Sequence, residues 1–296
     1  MFIVGLPRTG STLTRGILNT SPEIWIAGES HYFDQPVRLG FGRRRGYRSH
    51  FRRVGHLGSD AGIGRIVDRI WSLEGKNFWA RMARSTRRDA FLADLRASDR
   101  SDRSLFDLAL AHSARGRRIR GEKTPHHIHA VPTLLRWFPD ARVIHTFRDP
   151  RAIYASLRSK EDTARLGRVG RLARRLGPLF DLYATINLAR SWRQMAQLHR
   201  AYAARFPGQY RLLRFEDLIA DPTSTAMQLC EFVGVAYLPE MLDQVVHNSS
   251  FRPKGSAGGI DPTAAERWRK QLRPITQRWI SFLCRRDLKA FGYPAR

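Results

Sequence analysis

Five short apolar runs punctuate the chain, and each ends in glycine or charged residues. Phe2-Ile-Val4 is the first and Ile24-Trp-Ile-Ala27 the second. A shorter run centres on Ile119, and fuller ones cover Val143 to Phe147 and Tyr210 to Phe215. Runs that are continuously apolar rather than alternating fit strands buried on both faces of a parallel sheet. Between them the apolar positions recur every three or four residues. Leu13, Ile17 and Leu18 form one such set, and Ile128, Val131, Leu134 and Leu135 another. Leu182 to Phe206 reads as one long helix, Thr223 to Val235 and Pro239 to Val246 as amphipathic helices, and Trp268 opens a closing helical pair. Residues 63–115 keep helical spacing throughout (Ile66, Val67, Ile70; Phe91, Leu92, Leu95; Leu105, Phe106, Leu108) and read as a helical insertion between strands. The alternation predicts an α/β fold. It is a three-layer sandwich around a central, mainly parallel sheet of about five strands, near residues 2–5, 24–27, 118–121, 142–147 and 210–215. No internal repeat or low-complexity linker appears, so one domain over 1–296 is expected.

The first strand leads into Gly5-Leu-Pro-Arg-Thr-Gly10 and then Ser11 and Thr12, where a helix starts. Strand, tight loop and helix N-terminus together make an anion site, because backbone N–H groups and the helix dipole converge there. Arg8 adds a full charge, and Ser11 and Thr12 add hydroxyls. The glycine spacing is that of an ATP-type phosphate loop, but Ser11 stands where such a loop has lysine. That argues against a P-loop small-molecule kinase, which needs the lysine on the β- and γ-phosphates. Pro7 to Thr12, PRTGST, instead resembles the 5′-phosphosulfate loop of sulfotransferases that use 3′-phosphoadenosine 5′-phosphosulfate (PAPS). It is closest to the branch that includes tyrosylprotein sulfotransferases and many bacterial ones.

Arg148-Asp-Pro-Arg151 with Ser156 eight residues after Arg148 is the second signal, and it resembles the 3′-phosphate site of the same family. Arginine suits a terminal phosphate through paired hydrogen bonds. Asp149 can cap the helix that Pro150 opens, and Asp149 and Arg151 read as a structural pair. The resemblance covers residues 1–160 directly and implies a P-loop-like fold and sulfuryl transfer from PAPS, without a metal, to a hydroxyl. It implies that Arg8, Thr9, Gly10, Ser11 and Thr12 hold the phosphosulfate, with Lys123 in Glu122-Lys-Thr-Pro125 as a second cation on the transferring group. Glu29 follows the second strand, where a carboxylate faces the crevice of an open sheet. The resemblance makes it the catalytic base, with His31 as rival. Tyr210 to Pro222 is similar to the family's LRYEDL segment, whose role reads as structural. Ser249 to Ala264, a loop with Arg252, Pro253, Lys254, Gly255 and Ser256, resembles the late segment that closes over the nucleotide, so Lys254 and Ser256 are candidate further contacts.

Composition sharpens this picture only in part. The net charge is +26, almost all of it arginine, since only six lysines occur. Such a balance fits nucleic acid, an anionic membrane surface or an acidic ligand. No zinc-finger spacing or aromatic platform for single strands accompanies it, so no specific nucleic acid is expected. A non-catalytic basic nucleic-acid- or membrane-binding protein on this scaffold is the alternative. Basic segments lie at 38–64, read as a loop at the acceptor mouth, and at 162–180, which could form a lid or a peripheral membrane contact. His126, His127 and His129 share no helix face and have no carboxylate or cysteine nearby, so no metal is expected. Cys230 and Cys284 read as reduced, buried thiols and, with no apolar run long enough to span a bilayer, suggest a cytoplasmic enzyme. A carbohydrate, lipid or small-molecule acceptor fits; the oligomeric state is not legible.

Overall fold

The computed structural model describes residues 1–33, 49–114, 116–158, 167–243 and 260–294. Five strands form one sheet: β1 Phe2–Gly5, β2 Ile24–Ala27, β3 Ile119–Lys123, β4 Val143–Phe147 and β5 Tyr210–Arg214. Their spatial order is β2-β3-β1-β4-β5, and every ladder is parallel. The continuous apolar runs are explained by burial on both faces. Phe2 and Val4 join one core layer with Phe106, Phe147 and Trp192. Ile3, between them, points into the opposite layer with Ile17, Ile24 and Leu218.

The first layer is covered by α2 Asp60–Trp71, α3 Phe78–Ser85, α4 Arg88–Ala97 and α5 Asp102–Ala114, with α6 Val131–Trp137, α8 Gly167–Arg205 and α12 Pro274–Ala290. The second is covered by α1 Ser11–Asn19, α9 Phe215–Ala220 and α10 Pro222–Val233. Two short helices, α7 Pro150–Leu157 and α11 Trp268–Gln271, pack on each other. The sheet is therefore sandwiched between helices, as the alternation of patterns predicts.

Four expectations change. The helical stretch 63–115 divides among four helices that begin at Asp60, Phe78, Arg88 and Asp102, and Asn77, accepting from the Ala80 N–H, caps the second. The helix expected after Pro125 begins as a 3-10 turn, Pro125–Ala130, and becomes α-helical only at Val131. Pro132 explains the break. It has no N–H to give the carbonyl four residues back, but it is tolerated in a first turn. The long helix starts before Leu182 and carries a non-helical joint at Gly177. From the Pro239–Val246 helix only a 3-10 turn, Pro239–Leu242, is seen; 244–246 lie outside the described residues.

β1 sits centrally, so strands are added on both of its sides and the crevice opens at their carboxyl ends. On the outer edge, β2 is shielded. The Asn19 amide accepts from Ile26 N at 2.7 Å and donates to its carbonyl at 3.0 Å, and Arg15 Nε adds a bond at 2.7 Å. Such cover keeps an edge from pairing with other chains.

His145 of β4 is fully buried, with its Nδ1 2.6 Å from the Tyr210 hydroxyl. Burial, with the His199 and His129 charges, lowers its pKa to about 3. The unfolded chain protonates this ring near 6.5 and the folded one does not, so stability falls as pH drops below 6.5. Between pH 7 and 5 the loss is about 2 kcal/mol. His145→Gln is expected to remove that part of the acid sensitivity. Urea unfolding at both pH values checks it, and identical pH slopes for variant and parent would contradict it.

Candidate active site

The loop after β1 is shaped by backbone conformation. Gly5, Arg8 and Gly10 all have positive φ, at 141°, 72° and 91°. At Gly10 a Cβ would also stand 2.5 Å from the Phe215 ring, so only glycine fits between loop and α9. Left-handed geometry is uncommon for arginine. Here it accompanies an Arg8 side chain whose Nε donates to Ser156 Oγ at 2.9 Å. No side chain caps α1, and no acid stands in its first turn. Its leading N–H groups thus offer themselves to an external anion. Thr9 is placed otherwise than expected. Its hydroxyl is spent on the Leu6 carbonyl and on Thr146, each at 2.7 Å, so it braces the loop from behind.

Register brings Glu29 and Lys123 together. Ala27 pairs with Glu122, so the residues just beyond β2 lie beside the end of β3. Lys123 Nζ is 2.5 Å from Glu29 Oε1, and His31 Nε2 is 3.2 Å from Oε2. Burial alone would raise the Glu29 pKa, but the His31 hydrogen bond and the Lys123 ammonium outweigh it and hold the carboxyl at about 2. The same bond raises His31 above its ordinary value.

A second carboxylate, Glu122, fixes this arrangement from below. It is 1% exposed. Its Oε2 accepts from Ser30 N at 3.2 Å and Thr124 Oγ1 at 2.8 Å, and its Oε1 meets His127 Nδ1. Thr124 Oγ1 also accepts from Ser30 N, and the Trp79 indole donates to Ser30 O at 2.8 Å. The turn carrying Glu29 is thereby tied to the strand carrying Lys123. Burial opposes ionisation of Glu122, but the His127 ring and these donors lower its pKa below the usual range. This corrects one reading. His127 does have a carboxylate partner, five residues back on the strand. Thr124 occupies the cap position without capping, because its hydroxyl is turned to Glu122.

Arg148 follows β4 and is held on all sides. Its Nη1 donates to the Arg8 carbonyl at 3.2 Å and its Nη2 to Ala264 O at 2.8 Å, while the guanidinium lies 4.1 Å over Phe215. Burial lowers its pKa to about 10, so it keeps its charge at neutral pH. Its Nε is buried without an acceptor. Asp149 caps α7 at 2.8 Å and pairs with Arg151 at 2.6 Å, as expected. Glu216 accepts from Asp149 N and from the Tyr293 hydroxyl, each at 2.9 Å. The segment similar to LRYEDL, which contains Glu216, thereby locks the turn that aims Arg148.

Arg8, Gly10, Ser11, Thr12, Glu29, Lys123, Arg148 and Ser156 line one cavity of about 300 Å³. The loop and the mid-chain motif share this space, and Arg8 reaches Ser156 across it. Thr9 stands behind the wall. Lys254 and Ser256 lie outside the described residues, as do 38–48 and 162–166 of the basic segments. The sequence reading missed Phe215, Arg267, which pairs with Asp261, and Trp268, whose ring carries Arg151 at 4.2 Å. The aromatic next to each basic run was the available signal for Phe215 and Trp268. Arg267 was masked by the general abundance of arginine.

A sequence model of the sulfotransferase family matches residues 1–240. Carbohydrate sulfotransferase 6 of Homo sapiens is 31% identical over 175 residues, covering 51% of this chain and 41% of that protein. Protein-tyrosine sulfotransferase 1 of Danio rerio is 21% identical over 284 residues, covering 95% of this chain and 64% of that one. The match thus spans less than two thirds of these relatives' own length. Among solved structures, the sulfotransferase domain of the Synechococcus PCC 7002 olefin synthase superposes with a TM-score of 0.60 at 19% identity, over 99% of this chain and 94% of that one. At that identity the likeness concerns the fold. Among the described residues, no helix is long and apolar enough to cross a membrane.

Removing Glu122 leaves buried donors without acceptors. Glu122→Ala is expected to cost about 3 kcal/mol of unfolding free energy. Chemical denaturation checks it, and a change below about 0.5 kcal/mol, the range of an ordinary surface substitution, would mean that the network does not hold the turn.

Proposed function

The chain belongs to the sulfotransferase family, and from that premise we propose that it transfers a sulfuryl group from PAPS to a hydroxyl of a carbohydrate or small-molecule acceptor. One observation carries the reading: the carboxyl ends of four neighbouring strands bring three cations and one carboxylate into a single cavity. Arg8, Lys123 and Arg148 supply the positive charge. Among the described residues, Glu29 is the only carboxylate on the wall apart from Asp261, which Arg267 neutralises. These residues suit a ligand with several negative charges. The unspent Nε–H of Arg148 and the uncapped start of α1 are donors still awaiting acceptors.

In this reading the α1 amides, Ser11, Thr12 and Arg8 hold the phosphosulfate. Arg148 and Ser156 hold the 3′-phosphate, and Lys123 faces the bridging oxygen. The acceptor oxygen forms the new bond to sulfur as the bond from sulfur to the phosphate oxygen breaks. Glu29 takes the acceptor proton, and 3′-phosphoadenosine 5′-phosphate leaves. Cations and amides placed where charge gathers on the departing oxygen lower the barrier. A carboxyl held at about 2 is a weak base. An anionic donor draws Lys123 away from it, so the base gains strength when the donor is in place. The carbohydrate and tyrosyl specificities of the relatives' names support a hydroxyl acceptor.

Glu29→Gln is expected to cut turnover by about 10²- to 10⁴-fold and leave nucleotide binding intact; unchanged turnover would remove Glu29 from the mechanism. The two base candidates separate by pH. With Glu29 as base, kcat/KM stays level down to pH 5, whereas His31, raised by its bond to Glu29, would give an acid limb with its midpoint above 6.5. Arg148→Ala is expected to weaken 3′-phosphoadenosine 5′-phosphate about 30-fold and AMP far less. Calorimetry reads both, and equal losses would contradict the 3′-phosphate assignment.

A further inference from the structure

A second cavity, of about 410 Å³, lies outside the edge strand. Trp25 on β2, Arg15 on α1, and Arg81 and Arg84 on α3 line it, and it reaches Gly28. Gly28 directly precedes Glu29, which lines the first cavity. Among the described residues, no acid is on its wall. Arg81 and Arg84 have no carboxylate partner among the described residues. Arg15 is half-buried, and burial together with the charge of Arg81 lowers its pKa. The Trp25 indole N–H is buried and has no acceptor. A Cβ at Gly28 would stand 2.7 Å from Arg81 Nη2, so the glycine lets the guanidinium lie against the backbone beside Glu29.

Clustered guanidiniums without acids, next to an indole donor without an acceptor, are complementary to an oxyanion. The planar guanidinium fork matches a carboxylate or sulfate through two parallel bonds. An uncompensated pair of like charges in a partly buried site is costly, and a bound anion relieves that cost. The position decides what carries the anion, because Gly28 is the wall between this cavity and the residue that faces the acceptor hydroxyl.

We propose that the Arg15–Arg81–Trp25 cavity is a subsite for a carboxylate or sulfate group on the acceptor, so that the enzyme selects acidic hydroxyl compounds. The oxyanion site stands on its own geometry; only its assignment to the acceptor rests on the sulfuryl-transfer reading.

The test is heteronuclear NMR on the full chain saturated with 3′-phosphoadenosine 5′-phosphate, which fills the first cavity. The Trp25 indole resonance is identified with Trp25→Phe. Inorganic sulfate is expected to shift it saturably, and Arg81→Ala, an exposed side chain whose loss leaves the melting curve unchanged, is expected to weaken that response at least 10-fold. Phenyl glucuronide is expected to shift both the Trp25 indole and the Glu29 amide, and phenyl glucoside to need at least 10-fold higher concentration. No saturable Trp25 shift, or one indifferent to Arg81→Ala, overturns the subsite. A response to sulfate and glucuronide that never reaches the Glu29 amide makes it a site for a free ion and overturns the assignment to the acceptor. Failure of the nucleotide itself to bind in calorimetry would instead strike the sulfuryl-transfer reading, and the Trp25 response would remain to be read by itself.

Discussion

Mutual repulsion among cations is the constraint under which this site is built. Arg8, Lys123 and Arg148 converge where burial removes much of the water that would screen them, and unit charges a few ångströms apart then repel by several kcal/mol. Among the described residues, the fold answers without filling the cavity with acids. Lys123 has the single carboxylate of Glu29 at 2.5 Å. Arg148 is steadied by two backbone carbonyls and the face of Phe215. Arg8 leans on a neutral hydroxyl. Carbonyls and rings stabilise a guanidinium without cancelling its charge, so the cavity keeps a net attraction for anions. One full carboxylate at each cation would have made stable ion pairs and no binding site.

The acids that do matter sit one layer further back. Glu122 grips the Ser30 backbone, and Glu216 grips that of Asp149. Each ties a crevice turn to a neighbouring strand end. Glu122 is buried and Glu216 partly buried, yet their environments push them in opposite directions. The His127 ring and several donors lower Glu122, whereas burial dominates at Glu216 and raises it. A carboxylate that accepts backbone N–H bonds sets geometry and leaves the charge balance at the cavity wall untouched. Separation of positioning acids from binding cations is thus how a parallel sheet turns strand register into a reactive arrangement.

The sheet was legible because buried parallel strands leave an unbroken apolar mark, and all five lie within a few residues of the runs that announced them. Most of the site was legible for a related reason. In an open α/β sheet the residues just past each strand face the crevice, which places Arg8, Glu29, Lys123 and Arg148 once the strands are known. What stayed hidden depends on distances across the chain. Nothing local announces that Arg8 would reach Ser156, 148 positions away, and so merge two motifs. Nothing local tells that the Thr9 hydroxyl would turn inward to Thr146. Glu122 was read past because its neighbour Lys123 carried the motif, though its burial makes it the more constrained of the two. In the insertion, helical spacing was plain, but its division into separate helices was not, since a cap such as Asn77 is a polar residue of ordinary kind.

Abundant arginine has two different meanings here, and the partners distinguish them. On the outer surface many guanidiniums are already matched, as Arg52 is with Asp102 and Arg88 with Asp68. They contribute to the net charge and little to recognition, since exposed pairs are worth at most about 1 kcal/mol. Around the crevice the pattern reverses. Arg148 keeps an unspent donor, and Arg81 has no acid to meet among the described residues. With 26 more basic than acidic residues along the chain, acids are scarce, and they have been placed where a cation must be silenced or a turn held. The places left without one are therefore informative. Two of them, Arg148 and Arg81, lie at the carboxyl end of the sheet, and the long-range positive field of the whole chain draws anionic ligands in. Selectivity then comes from the short-range geometry of donors that have not yet found an acceptor.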